Sequence, residues 1–197
     1  MNGKLLALRR AGAAAAALSD EALLAACGTG DLGALDALFE RFHVVVFRFL
    51  GRLAATDELA RDDLVQATFL EARRAARGFK GRSSVKTWIL GIAANLARHH
   101  LRGEQRRREN HARYAERLLA VPERPDEQVE RSELLAEIRD ALAGLPYDQQ
   151  VAFILCDLEE IPGVDVARVV GVPQGTIWRR LHVARKAVRA AVERATR

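Results

Sequence analysis

The chain has 197 residues, of which 49% are hydrophobic and 29% charged, and its formal net charge is +5. This balance is typical of a soluble globular protein with one ordinary domain or two small ones. The apolar stretch VVVFRFL at 44–50 is short and contains Arg48, which excludes it as a membrane span. Two distant cysteines, Cys27 and Cys156, do not form a disulfide framework, so we expect a reducing, cytoplasmic location.

Almost every periodic segment predicts a helix, because Ala, Leu, Arg and Glu dominate and strand-like alternation is absent. Residues 1–18 contain an apolar stretch that Arg9 and Arg10 split, so we expect a poorly ordered tail rather than a signal peptide. The predicted helices cover residues 19–28, 31–54, 57–77, 84–108, 132–143, 147–158, 163–170 and 174–194. Asp31 is expected to cap the second helix, and Ser83 or Ser84 the fourth.

The stretch LLAVPERPDEQVE, with Pro122 and Pro125, is the predicted linker. It divides the chain into a first domain at 19–112, a linker at 113–131 and a second domain at 132–197, each long enough to fold alone. The predicted fold is therefore all-α, with two small helical domains joined by an acidic, proline-containing linker.

The helix predicted over 57–77 opens with acidic residues. Acidic side chains in a first turn stabilise the helix dipole, which is the simplest explanation. However, Asp62, Asp63 and Gln66 lie within one turn of a protein that is otherwise basic. This patch would suit a basic protein partner better than a nucleic acid.

The next predicted helix has two faces. The inward face holds Ile89, Ile92, Ala93 and Leu96, and one polar flank holds Gly91, Asn95, Arg98 and Arg102. The helix follows the loop GFKGRSS and begins with Lys86, Thr87 and Trp88. Aromatic rings among cations and hydroxyls are typical of single-stranded DNA binding. The alternative is that Phe79 and Trp88 are core residues, an interpretation that is favoured for Phe79 and evenly balanced for Trp88.

Two basic segments flank the linker. Residues 98–117 hold seven arginines and three glutamates, and residues 171–197 hold seven Lys or Arg and one glutamate. The segment between them, 118–133, holds five acidic residues and two arginines. This pattern fits two separate contacts with one polyanion, and it also fits two solvated helix faces.

The segment from Gly163 to Val188 predicts a helix-turn-helix. Small Ala167 lies where two helices would cross closely, Gly171 lies at the turn, and Pro173 is tolerated at the start of a helix. The second helix has an apolar stripe of Ile177, Leu181, Ala184 and Val188. Its opposite side carries donors suited to base edges and phosphates, namely Trp178, Arg179, His182, Lys186 and Arg189. An ordinary helical hairpin with a solvated face is the alternative.

The segments ARDDLVQATFLEARR…GFKGRSSVKTWILGIAANLARHHLR and LAGLPYDQQVAFILCDLEEIPGVDVARVVGVPQGTIWRRLHVARKAV resemble regions 2 and 4 of extracytoplasmic-function sigma factors, in the sigma-70 family. The likeness runs from about Leu18 to Val188. It implies an initiation factor that binds core RNA polymerase, at the clamp helices of the largest subunit and at the flap region, and that directs it to promoter DNA. It also implies an anti-sigma partner.

The resemblance carries over residue by residue. The pattern D-L-x-Q-x-x-F matches Asp63, Gln66 and Phe69, so Asp62, Asp63 and Gln66 are expected to bind core polymerase and Phe69 to be buried. Melted minus-10 DNA is expected to contact Phe79, Lys80, Arg82, Ser83, Lys86, Trp88, Asn95 and Arg98. The minus-35 duplex is expected to contact Gln174, Thr176, Trp178, Arg179, His182 and Lys186.

Some positions depart from the family. Pro162-Gly163-Val164-Asp165 stands where Ser-Tyr-Glu-Glu is common, Val183 stands where many members have arginine, and Trp178 and Arg179 are unusual. The promoter sequence therefore does not carry over.

No nucleophile–base pair or metal-ligand spacing is visible in the sequence. We therefore expect no enzymatic activity, no bound metal and no cofactor. A stand-alone helix-turn-helix regulator and a helical adaptor that binds only protein are the alternative functions.

Overall fold

A computed structural model describes residues 18–53, 58–114 and 132–196. These residues form eight α-helices and no strand, which confirms the all-α prediction. The helices are α1 Asp20–Thr29, α2 Leu32–Arg52, α3 Glu58–Ala75, α4 Val85–Tyr114, α5 Ser132–Ala143, α6 Tyr147–Phe153, α7 Gly163–Val170 and α8 Gln174–Ala195. None of these described helices combines the length and apolarity needed to cross a membrane.

The helix starts follow local capping chemistry. Asp31 accepts a hydrogen bond from the Ala34 amide at 3.1 Å, as predicted for α2. For α4 the cap is Ser84 and not Ser83, because the Ser84 hydroxyl accepts the Thr87 amide at 3.1 Å. These side chains satisfy amides that have no partner inside the helix.

Two helix ends differ from the predictions by more than three residues. Helix α4 continues to Tyr114, beyond the predicted residue 108, because residues 103–114 are rich in helix-forming Arg, Glu and Gln. The segment predicted as one helix over 147–158 is α-helical only to Phe153 and then forms a π-helical turn at Ile154–Leu158. Most of the predicted tail and linker, residues 1–17 and 115–131, lies outside the described residues, as do residues 54–57.

The hydrophobic core joins the first half of the chain, which contains α1 to α4, to the second half, which contains α5 to α8. One continuous cluster of buried side chains includes Phe49 and Ile89 from the first half and Ile154, Val166 and Ile177 from the second. Helix α7 packs directly on α4. The sequence predicts two units that could fold separately, whereas the structure packs them against each other.

Candidate nucleic-acid interface

The segment α7–turn–α8 has the geometry of a helix-turn-helix. Ala167 is buried near the crossing, and Gly171 adopts a φ of +73° while its amide caps α7 at the Ala167 carbonyl. Ile177, Leu181 and Ala184 are each at most 1% exposed, so the predicted apolar stripe of α8 is confirmed. The fourth member of that stripe, Val188, is half-buried. The opposite side of α8 is therefore held outward.

That outward side is basic and accessible. The exposed residues on it include Gln174, Trp178, Arg179, His182, Lys186 and Arg189, and Thr176 is half-buried. Five of the six residues carried over to the minus-35 site are thus available to a ligand in this state. Cationic and amide side chains on one helix face match the donors needed for base edges and phosphates.

Trp178 has a structural role beside its exposure. It is 48% exposed, and its ring lies over Gly163 at the start of α7. A Cβ placed at Gly163 would be 3.2 Å from Cη2 and Cζ2 of the indole. The two departures from the family pattern, a glycine at 163 and a tryptophan at 178, are therefore parts of one contact.

The loop before α4 brings the predicted aromatic residues together. Phe79 and Trp88 stack edge-to-face with ring centroids 5.3 Å apart, and both are half-buried against the core. The packing therefore agrees with the core interpretation for part of each ring and leaves the rest of each ring accessible. Lys80 and Arg82 are exposed beside them, Ser83 is half-buried, and Asn95 is exposed farther along α4.

Two predicted DNA-binding cations of α4 already have protein partners. Lys86 Nζ lies 2.8 Å from Glu159 Oε2, and Arg98 Nη2 lies 2.5 Å from Asp148 Oδ1. Glu159 and Asp148 both belong to the second half of the chain. The sequence holds no local signal for these pairs, because the partners are separated by 73 and 50 residues.

One position of the predicted polar flank of α4 is wrong. Gly91 is buried rather than exposed, because α7 covers it. A Cβ at Gly91 would lie only 2.7 Å from the Val169 Cβ. The helix wheel groups Gly91 with its polar neighbours, but the absence of a side chain lets α7 approach α4 closely at this position.

The acidic patch on α3 is exposed as predicted, with Asp62, Asp63 and Gln66 open to solvent. Phe69 is 3% exposed and packs edge-to-face on Phe39 at 4.9 Å, so its predicted core position is confirmed. Sequence reasoning missed Leu70, which is 50% exposed. Its spacing of four residues from Gln66 and seven from Asp63 places it on the same face, and that spacing could have identified it.

The thiols and the acidic side chains suggest no further chemistry. Cys27 is buried and Cys156 half-buried, both are unbonded, and burial raises the pKa of each thiol to about 11. Within residues 18–53, 58–114 and 132–196, no group of three or more His, Cys, Asp or Glu side chains could hold a metal ion.

Two protein-family descriptions match the chain. Sigma-70 region 2 matches residues 38–107, and Sigma-70, region 4 matches residues 135–188. The chain is 35% identical over 183 residues to the probable RNA polymerase sigma-C factor of Mycobacterium bovis, covering 91% of this chain and 96% of that protein. It is 29% identical over 184 residues to the ECF RNA polymerase sigma-E factor of Haemophilus influenzae, covering 89% of this chain and 96% of that protein.

Two solved structures share the fold. The sigma factor RpoE of Bartonella quintana, in complex with the anti-sigma factor NepR, has a TM-score of 0.59 at 23% identity, covering 79% of this chain and 94% of that one. CnrH in complex with the cytosolic domain of CnrY has a TM-score of 0.61 at 23% identity, covering 88% of this chain and 97% of that one.

Proposed function

The chain belongs to the ECF sigma factors of RNA polymerase, within the sigma-70 family, and from this membership we propose that it directs core polymerase to promoters through two DNA contacts. One contact reads the minus-35 duplex, and the other holds the melted minus-10 strand. The observation that carries the proposal is the exposed basic face of α8 on a helix-turn-helix whose opposite face is buried. The assignments of residues 19–112 to region 2 and 132–197 to region 4 are part of the same proposal.

Helix α8 reads the minus-35 element from the major groove. Its reading residues are Gln174, Thr176, Trp178, Arg179, His182 and Lys186. An arginine can donate two hydrogen bonds to one guanine, and a good bidentate contact discriminates against a wrong base by about 1–3 kcal/mol. The ring of Trp178 offers an apolar surface suited to a thymine methyl group.

The loop before α4 and the outer side of α4 hold the separated minus-10 strand. The contributing residues are Phe79, Lys80, Arg82, Ser83, Lys86, Trp88, Asn95 and Arg98. The paired rings of Phe79 and Trp88 supply a stacking surface, and the exposed Lys80 and Arg82 neutralise the backbone. Spontaneous opening of the duplex supplies the unpaired bases, and binding shifts the equilibrium toward the open form.

The acidic face of α3 docks on core polymerase. Asp62, Asp63 and Gln66 supply charge and hydrogen bonds to the clamp helices of the largest subunit, and the exposed Leu70 adds an apolar contact. The second domain contacts the flap region. An anti-sigma factor is a further proposed partner, supported by one structural neighbour, the sigma factor RpoE in complex with the anti-sigma factor NepR.

In vitro transcription tests the proposal. Sigma-free core polymerase on fragments of the source genome should make promoter-specific transcripts only when this protein is added. Specific duplex binding without polymerase, with no such transcripts, would instead indicate a stand-alone regulator.

A substitution on α8 separates reading from phosphate contact. Arg179→Ala should lower transcription from some minus-35 sequences more than from others, by about 5- to 150-fold for a lost base contact. Arg139→Ala, which removes an exposed arginine from α5, should change every promoter equally or not at all. Uniform loss with Arg179→Ala would contradict base reading by that residue.

A further inference from the structure

Several contacts between the two halves of the chain fall on one stripe of α4. Gly91, Ala94 and Arg98 are three and four residues apart and so share a helix face. Gly91 meets Val169 of α7, and the Ala94 carbonyl accepts a hydrogen bond from the Tyr147 hydroxyl at 2.6 Å. Arg98 pairs with Asp148 and lies 5.7 Å from the centroid of the Tyr147 ring. Burial raises the pKa of the Tyr147 hydroxyl, consistent with a covered contact.

Glu159 makes the second polar connection between the halves. Its side chain is only 8% exposed, and its two oxygens lie 2.7 Å from Arg52 Nη1 and 2.8 Å from Lys86 Nζ. Both cations belong to the first half of the chain. A third connection runs from the Arg168 guanidinium, on α7, to the Arg82 carbonyl. Glu159 is therefore a carboxylate whose two ion pairs both join the second half to the first.

The carboxylates of Glu159 and Asp148 pair with two cations, Lys86 and Arg98, that belong to the proposed minus-10 site. Lys86 and Arg98 are twelve residues apart, about 18 Å along α4. A carboxylate on an ammonium or a guanidinium makes the same type of charge pair as a DNA phosphate. Arg98 is incompletely satisfied by its protein partner, because its Nε is buried without a hydrogen-bond partner among the described residues.

From these observations we infer that the second half of the chain closes over α4 and competes, through Glu159 and Asp148, with single-stranded DNA for Lys86 and Arg98. The inference rests on the proposed function, since it concerns regulation of the proposed minus-10 site. In the closed state α8 keeps its basic face exposed, whereas Lys86 and Arg98 of α4 are each paired with a carboxylate. The apparent affinity for single-stranded DNA is then the affinity of the open protein multiplied by the fraction of protein that is open.

The closed state also has an apolar centre. Val166 and Ile177 of the second half share one continuous core with Ile89 of α4. Salt screens ion pairs but leaves apolar burial in place, so salt alone does not open the contact. The contact is sensitive to substitution of Gly91, because a Cβ there would lie 3.2 Å from the Val169 carbonyl oxygen and must displace Val169.

A steric wedge provides the first test. Gly91→Ala removes no charge and favours the helical state of α4, yet its Cβ forces α7 away. Small-angle X-ray scattering of the full chain should show a larger radius of gyration than for the wild type. The affinity for a labelled random-sequence single-stranded 12-mer should increase by about fivefold or more.

A charge variant provides the second test, with a matched control. Glu159→Gln weakens both of its ion pairs with the first half and should increase 12-mer affinity by about threefold. Asp157→Asn removes the same charge two residues away, but Asp157 pairs with Arg185 inside the second half, at 2.7 and 2.9 Å. The excess of the Glu159→Gln effect over the Asp157→Asn effect measures the interdomain competition.

The outcomes separate this inference from the proposed function. An unchanged radius in Gly91→Ala and Glu159→Gln overturns the inference. So does a larger radius with 12-mer binding that is absent or no tighter than that of the Asp157→Asn protein. Transcription by the wild-type protein with core polymerase is measured separately. Its absence would refute the proposed function whatever the scattering shows.

Discussion

The contact between Trp178 and Gly163 makes a quantitative prediction about stability. Trp178 is 48% exposed, so roughly half of its side chain is covered. A buried aromatic side chain covers about 150–250 Å², and half of that at about 25 cal/mol per Å² gives about 2–3 kcal/mol as an upper limit. We therefore expect Trp178→Ala to lower the free energy of unfolding by about 1–2 kcal/mol.

Gly163→Ala should act differently in the two backgrounds. With Trp178 present, the new Cβ meets the indole at 3.2 Å, and displacing the ring costs about 1 kcal/mol, which offsets the gain from replacing a helical glycine. With alanine at 178, the ring is gone and only the gain remains, which is at most about 0.5–1 kcal/mol because Gly163 is the first residue of α7. The two substitutions should therefore be coupled by about 1 kcal/mol.

Urea denaturation of the wild type, the two single variants and the double variant measures this coupling. Gly175→Ala is the control, because a Cβ at Gly175, also on α8, meets nothing within 4 Å. It should show no coupling to Trp178→Ala. Independent sites add within about 0.3–0.5 kcal/mol, so additivity of Gly163→Ala and Trp178→Ala within that range would refute the packing argument.

Two further predictions concern the thiols and the turn. Burial raises the pKa of Cys27 to about 11, so the unfolded chain ionises first and the free energy of unfolding should fall as the pH rises from about 9 to 11. At 1.36 kcal/mol per pKa unit the Cys27 contribution is at most about 3 kcal/mol. Cys27→Ala should reduce this slope in urea denaturation, and an unchanged slope would contradict the assignment. Gly171 has a φ of +73°, so Gly171→Ala should destabilise by about 1–2 kcal/mol in thermal denaturation. Gly175→Ala should not destabilise, and equal effects would exclude backbone strain at the turn.

Local chemistry accounts for the helices that were predicted correctly. The bounds of α5 and α7 match the sequence predictions, and Asp31 caps α2 as expected. Capping needs only residues three or four apart, and helical periodicity needs only the spacing of apolar side chains. The same periodicity correctly predicted which side of α8 is buried at Ile177 and Leu181. Contacts over such short spans are encoded within a single segment.

Which neighbour covers the polar flank of a helix depends on the tertiary structure. A helix wheel places Gly91 and Arg98 on a polar side but holds no information about which neighbour covers that side. The partners are Val169 and Asp148, 78 and 50 residues away. In the same way, the sequence leaves Phe79 and Trp88 open between core and ligand, and only their packing at the core edge gives each ring a covered and an accessible part.

The amino-acid sequence thus determined the helices, and in α8 also the buried stripe and the basic face, because these depend on the order and spacing of neighbouring residues. Only the tertiary structure decided that the two halves meet at Gly91 and that Lys86 and Arg98 form ion pairs with carboxylates of the second half. Helix α7 approaches α4 closely because Gly91 has no side chain, and the ion pairs join residues that are 50 or more positions apart. Both features arise from three-dimensional packing, which local sequence patterns do not encode.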